Sequence, residues 1–249
     1  RAVILTTTES GLMRQRTESG KRTIMKIAVL GGSFNPLHVG HAMLADSVLT
    51  EYGCDKILFV PTCVPPHKLM SSSVSPEQRL EMVRRFCASS VFNGRQKFFA
   101  EDCEIARGGT SYTVDTLRFI SEKYKDELAG EKPGFIMGQE VAAQFCKWKN
   151  PEEIASLADI LIARRHPDNN GIRTDETKNR PCGNYSEDYK DECSLENFSY
   201  KYSMIENPVL PVSSTEIRAR IALGKAWRYL VPEEVFQYII SNNLYGKQK

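Results

Sequence analysis

Short apolar runs rich in Ile and Val, alternating with helical apolar spacing, constrain this chain more than any other feature. Lys26 to Gly31 (KIAVLG) has the continuous apolar character of a strand buried on both faces, and it closes on a double glycine. Val39 to Glu51 follows with Met43, Ala45, Val48 and Leu49 on one side of a helix, and Lys56 to Pro61 (KILFVP) is again a buried strand. A Pro-rich loop from Thr62 to Ser75 leads to a helix over Pro76 to Ala88, with Ser75 as its N-cap and Pro76 and Glu77 in its first turn. Lys97 to Ile105 reads as a strand, and a Gly-Gly-Thr-Ser loop then enters a helix from Thr113 to about Tyr124. Gly134 to Gly138 and Asp159 to Arg164 are further strands, and Val209 to Val212 is the last candidate. Ser213 caps a helix to about Leu223, and Pro232 to Ser241 forms the final one. An order of this kind requires crossover connections, which give a parallel sheet with helices packed on it.

Two segments stand outside this pattern. Residues 1–24 turn polar after Leu5, lack the layout of a signal peptide, and are read as an extension outside the fold, with the natural chain expected to begin at Met25. The fold is expected to occupy residues 25–249 as one unit. Within it, 168–206 is so rich in Asn, Asp, Glu, Lys and Ser that it reads as a long surface insertion, whose tyrosines leave room for local packing or a subunit contact. No run approaches the ~20 apolar residues that span a bilayer. A net charge of +2 on 249 residues does not suggest a nucleic-acid coat or a polyanion binder, and neither a nucleic acid nor a membrane is expected as a partner. Seven scattered cysteines without a Cys-x-x-Cys pair suit neither a zinc site nor a disulfide framework, so reduced thiols in a cytoplasm are expected. Oligomeric state stays open.

The chemistry concentrates in Gly31-Gly32-Ser33-Phe34-Asn35-Pro36-Leu37-His38-Val39-Gly40-His41. Glycine permits close backbone approach to an anion, and a helix start offers N–H groups and a positive dipole end. Histidines three apart lie about one helical turn from each other and can face one bound group. Zinc would demand a third ligand and, in the metalloprotease pattern, i, i+4 spacing with a glutamate between, neither of which is present. No protein metal site is therefore expected.

Gly-Ser-Phe-Asn-Pro-Leu-His-x-Gly-His resembles the signature of the nucleotidylyltransferase superfamily, in which the two histidines contact the triphosphate of ATP. The resemblance implies a Rossmann-like α/β fold: a doubly wound parallel sheet with helices on both faces and a small C-terminal helical part. It makes His38 and His41 the catalytic pair and puts Gly32, Ser33 and Phe34 beside the nucleotides. Val212-Ser213-Ser214-Thr215-Glu216-Ile217-Arg218 is similar to the superfamily's I-S-S-T-x-I-R element. Ser213, Ser214, Thr215 and Arg218 are thereby implied on the ATP phosphates. Lys68, in Pro65-Pro66-His67-Lys68, is similar to a lysine of a comparable family loop and would reach phosphates of either substrate.

Ser111-Tyr112-Thr113-Val114-Asp115-Thr116-Leu117 resembles the bacterial nicotinate mononucleotide enzymes, which implies Thr110 and Tyr112 near the pyridine. Trp148, in Lys147-Trp148-Lys149, is similar to the family's Trp-Lys, and an indole stacks well on a flat ring. Gly138 and Glu140 stand where the family's central strand ends Gly-Ala-Asp, so a longer carboxylate is expected to act on the ATP side. The implied reaction joins nicotinate mononucleotide to the AMP part of ATP and releases pyrophosphate, in NAD biosynthesis. Mg²⁺ is expected on the ATP phosphates with few or no protein ligands. Competing readings are the same chemistry on nicotinamide mononucleotide or phosphopantetheine, a non-catalytic nucleotide-binding module, and an interaction protein built on the insertion.

Overall fold

The computed structural model describes residues 24–66, 74–164, 195 and 198–246. Strand β1 (Ile27–Gly32), helix α1 (Val39–Glu51), β2 (Lys56–Pro61) and α2 (Pro76–Ser89) fall where the apolar spacing puts them. A small hairpin of β3 (Val91–Phe92) and β4 (Arg95–Gln96) then precedes β5 (Phe98–Ala100). Next come α3 (Cys103–Arg107), α4 (Thr113–Lys123), α5 (Lys125–Leu128) and β6 (Gly134–Gly138). The chain continues through α6 (Gln139–Ala142), α7 (Pro151–Leu157), β7 (Asp159–Ala163) and β8 (Tyr202–Ile205). Helices α8 (Ser214–Ala222) and α9 (Glu233–Ser241) close it.

Among the described residues six strands form one sheet in the order β5-β2-β1-β6-β7-β8, every neighbouring pair parallel. Because side chains alternate across a strand, the continuous apolar runs feed two separate cores. Ala28, Leu30, Ile57, Phe59, Ile136 and Leu161 point to the face covered by α1, α2, α8 and α9. Ile27, Val29, Leu58, Val60, Phe135 and Ile160 point to the face covered by α4 and α7. A doubly wound sheet follows directly. The C-terminal helical part lies on the first face, where Ile217, Val235 and Ile239 are buried.

Three expectations change, and one hairpin is added. The strand over Lys97 to Ile105 stops at Ala100, and α3 takes its second half. Gly108 sets the far end of that helix: at φ 72°, a backbone that L side chains rarely adopt, it caps α3 with its N–H reaching Glu104 O. Val209 to Val212 is not a strand, and the sheet's last member is β8 at Tyr202–Ile205, inside the stretch read as an insertion. An edge strand with one neighbour keeps Tyr202, Ser203 and Met204 exposed, so its composition lacks the apolar run of a central strand. The loop reading of 168–206 therefore fails at its end, where Phe198 and Tyr200 also pack on Phe145. Residues 165–194 and the extension up to residue 23 lie outside the described residues. The β3–β4 turn, Asn93-Gly94 with φ of 49° and 73°, is a two-residue hairpin signal that the alternation of larger elements hides.

Helix α2 starts on a reciprocal cap: Gln78 N–H donates to Ser75 Oγ at 3.3 Å, and Ser75 N–H donates to Gln78 Oε1 at 2.9 Å. Ser75→Ala should lower stability by about 1 kcal/mol. The urea midpoint measures it, and an unchanged midpoint would contradict the cap's contribution.

Candidate active site

Strands β1 and β6 are neighbours whose connections leave in opposite directions along the sheet. In an open parallel sheet, the crevice beyond their carboxyl ends is where ligands bind. Leu30 pairs with Ile136, so continuing that register by two residues sets Gly32 beside Gly138. A Cβ on Gly32 would lie 3.2 Å from the Phe34 ring, and one on Gly138 would lie 2.5 Å from Glu140 Oε2. Both glycines therefore admit a neighbour's side chain against the strand end. Glu140 folds its carboxylate back over Gly138, so the extra methylene is absorbed by folding rather than by reaching outward.

The turn from Ser33 to Leu37 carries the chain from β1 into α1. Its Asn35–Pro36 peptide is cis, and Phe34 holds φ at 43°. That left-handed backbone costs a non-glycine residue roughly 1–2 kcal/mol, which burial of the ring offsets. Phe34 is 1% exposed and packs on Phe59 and edge-on against His41. Its side chain belongs to the core, which leaves its backbone for the crevice.

His38 is the N-cap of α1, and His41 takes the third helical position. The His38 backbone N–H donates to His41 Nδ1 at 3.2 Å, and the two rings lie 3.8 Å apart between centroids. An imidazole that accepts at Nδ1 carries its neutral-state proton on Nε2, so His41 is set up as a donor. His38 is buried, while His41 is half-buried.

The second motif sits against the same turn. Ser214 Oγ donates to Pro36 O at 2.9 Å, and Arg218 Nη1 donates to Asn35 O at 2.7 Å. Ser213 Oγ caps α8 by accepting from Glu216 N–H, and Arg218 Nη2 donates to Thr215 Oγ1. A Cβ on Gly40 would lie 3.0 Å from His38 Nδ1 and 3.1 Å from Val212 Cγ1. Glycine at 40 is thus where the two motifs meet at van der Waals distance. Two helix N-termini, each with N–H groups that lack an intrahelical acceptor, adjoin one turn.

On the other side, the loop before α4 reaches the loop after β2. Val64 and Thr110 form a parallel bridge, Ser111 N–H donates to Val64 O, and Cys63 N–H donates to Ser111 Oγ at 3.0 Å. Thr110 is exposed and Tyr112 half-buried. Lys149 Nζ stands 4.4 Å over the Tyr112 ring and 3.2 Å from Asp115 Oδ2, which brings the Trp148-Lys149 loop to this end of the crevice. Trp148 is half-buried with one side packed on Phe135 and Phe145. Lys68 lies outside the described residues.

Two contributors escape the sequence reading. Arg79, 1% exposed, donates to Ser33 O at 2.6 Å and to Cys63 O at 3.0 Å. Tyr245 donates its phenol to Asn35 Oδ1 at 2.7 Å. Burial lowers the pKa of both Arg79 and Arg218 and raises that of Tyr245. Neither residue stands in a recognisable motif; only an arginine on the apolar side of α2, beside Leu80 and Val83, hints at a buried cation. Burial also pushes Cys54 and Cys103 up to about 12, as befits inert core thiols, whereas Cys146 is exposed. A shallow hollow lined by Asp46, Leu49, Cys54, Phe92, Arg95 and Lys97 lies at the opposite, amino edge of the sheet and contains no motif residue.

Residues 29–220 match the cytidylyltransferase-like family. A curated protein of Borreliella afzelii is 37% identical over 224 residues, which are 90% of this chain and 98% of that protein. One of Treponema pallidum is 36% identical, covering 89% of this chain and 99% of the other. Both bear the name probable nicotinate-nucleotide adenylyltransferase. The chain belongs to the nicotinate-nucleotide adenylyltransferases. Crystal structures of the Plasmodium falciparum nicotinic acid mononucleotide adenylyltransferase, one complexed with APC and one with NaAD, share the fold at 20% identity, with TM-scores of 0.61 and 0.62. Each covers 89% of this chain and 97% of its own.

Gly40→Ala tests the contact between the two motifs of this adenylyltransferase. Helix propensity alone favours alanine by about 1 kcal/mol, but overpacking at 3.0–3.1 Å costs roughly 1–3 kcal/mol. We expect net destabilisation in a urea melt. A stabilised variant would mean that His38 and Val212 give way freely.

Proposed function

We infer that the protein transfers the AMP part of ATP to the 5′-phosphate of nicotinate mononucleotide, giving deamido-NAD and pyrophosphate in NAD biosynthesis. The observation that carries this reading is the convergence of His38, His41, Ser214 and Arg218 on one turn at the sheet's switch point. The curated relatives carry the name of that activity, and the Plasmodium structures are complexes with APC and NaAD.

The attacking group is a phosphate, whose second pKa of about 6 leaves it largely ionised at neutral pH. No general base or covalent nucleophile is needed, so alignment and donors around the developing charge supply the catalysis. In this reading the triphosphate lies on the first turns of α1 and α8, with the His41 Nε2–H directed at a phosphate oxygen. His38, being buried, acts chiefly through its N–H on His41. Ser213, Ser214 and Arg218 spend part of their hydrogen bonding on the cap and the 33–38 turn, so the exposed Thr215 and the α8 backbone meet the ligand more directly. Gly32 and Ser33 line the crevice between the substrates, and Gly138 and Glu140 bound the ATP ribose. Lys68 is assigned to the phosphates of both substrates by the motif alone. Thr110 and Tyr112 hold the pyridine end, and Trp148 covers the ring.

Mg²⁺ is the cofactor in this reading, neutralising phosphate charge. Among the described residues no three His, Cys, Asp or Glu side chains converge into a cage, so the ion would be held by phosphate oxygens and water. Among the described residues no helix is long and apolar enough to cross a membrane, and we assign the reaction to the cytoplasm.

Pyrophosphate release with ATP and nicotinate mononucleotide, nicotinamide mononucleotide or phosphopantetheine in turn tests the reading. We expect the first to be preferred, and a preference for either of the others would reassign the acceptor. ATP binding without turnover of any acceptor would leave a nucleotide-binding module. His41→Ala should cost about 2–4 kcal/mol of transition-state stabilisation, and near-normal kcat would remove His41 from catalysis. Trp148→Ala should raise KM for the mononucleotide roughly 3- to 10-fold with little change in kcat. An unchanged KM would refute the stacking role.

A further inference from the structure

Adenylyl transfer in one step requires two bound phosphates at a set distance, yet the loops that would hold them are far apart in sequence. The ATP-side turn begins at Ser33, and the acceptor-side loop centres on Thr110 to Tyr112. One continuous set of hydrogen bonds connects them. Arg79 Nη1 donates to Ser33 O at 2.6 Å, and Nη2 donates to Cys63 O at 3.0 Å. Cys63 N–H then donates to Ser111 Oγ at 3.0 Å, and Ser111 N–H returns to Val64 O at 2.9 Å.

The guanidinium is a planar fork with fixed spacing between its donors, unlike the point charge of a lysine. Here it is 1% exposed, and among the described residues its hydrogen bonds go to carbonyl oxygens only. A cation in that setting is desolvated without a bonded carboxylate, an arrangement that an apolar residue of equal size would avoid. Packing alone does not account for it. The two carbonyls it joins belong to the turn after β1 and the loop after β2.

We propose that Arg79 is a positioning residue for adenylyl transfer, setting the separation between the ATP-side turn and the acceptor-side loop. This rests on the reaction inferred above. Arg79 touches neither substrate in this account; it fixes where Ser33 and, through Cys63 and Ser111, the acceptor loop stand. Displacement of reacting groups by about an ångström can cost on the order of 10²-fold in rate, so the effect should fall on kcat.

Arg79→Lys keeps the charge but loses the fork. We expect kcat per folded site to fall on the order of 10²-fold, with KM for ATP and for nicotinate mononucleotide each within about threefold of the parent. Ser111→Ala, which breaks the same chain at its far end, should give the same pattern. The double variant should lose less than the product of the two single losses, because residues in one network are not additive. Amide exchange supplies a readout without turnover: in Arg79→Lys, residues 33–35 and 110–112 should lose protection together. If Arg79→Lys does not fold, Ser111→Ala alone decides. Unchanged kcat per folded site, strictly multiplicative losses, or loss of protection in only one of the two segments would overturn the proposal. If the parent protein turned over no acceptor, the adenylyl-transfer reading would fall, while the exchange measurement would still judge the coupling.

Discussion

The ATP-side half of the candidate site depends on how closely the first turn of α1 approaches Val212, just ahead of the α8 cap. At Gly40 the helix start has only a hydrogen where any other residue would press on His38 and Val212. That proximity brings Ser214 and Arg218 within hydrogen-bond reach of the turn at Asn35 and Pro36. It also places two helix starts, each with a positive dipole end, beside one turn. An anion placed there would meet backbone and side-chain donors from segments about 175 residues apart in the chain, a separation that only the tertiary fold removes.

Most of the scaffold was legible in the amino-acid sequence because most of it is buried on two faces. β2 and β6 were bounded correctly from their apolar runs, and α1 and α2 from helical spacing and, for α2, a Ser-Pro start. The failures have a common physical origin. β8 is an edge strand half in water, and α3 is a five-residue helix whose end is set by a glycine in a left-handed conformation. Neither carries the periodic apolar signal that a long or central element must have. At the site, the sequence picks out the two motifs by type and spacing but not the structural bonds their residues make. The Phe34 ring is core, and the hydroxyls of Ser213 and Ser214 are bonded to Glu216 N–H and Pro36 O. Arg79 and Tyr245 were missed because what they do is defined by carbonyl and amide oxygens that no local pattern announces.

The division of labour between the histidines illustrates how a site can be read from hydrogen bonds as well as from motif membership. Both imidazoles belong to the same four-residue signature, yet one is almost covered and the other is not. The backbone amide of the covered residue donates to Nδ1 of its neighbour, which fixes that ring's orientation and leaves its Nε2 as the donor. The same arrangement recurs at Arg218, where one nitrogen secures the turn and another secures Thr215. Rigidity of this kind lowers the reorganisation needed when charge develops.

The phenol of Tyr245 has a consequence for biogenesis. It is bonded to Asn35 across 210 residues, so the turn that follows the first strand gains this tether only after residue 245 has been made. A nascent chain stopped short of α9 could pair β1, β2 and β6 and still leave that turn without its outer clasp. The turn between β1 and α1 is therefore completed late in synthesis, by a residue outside both motifs.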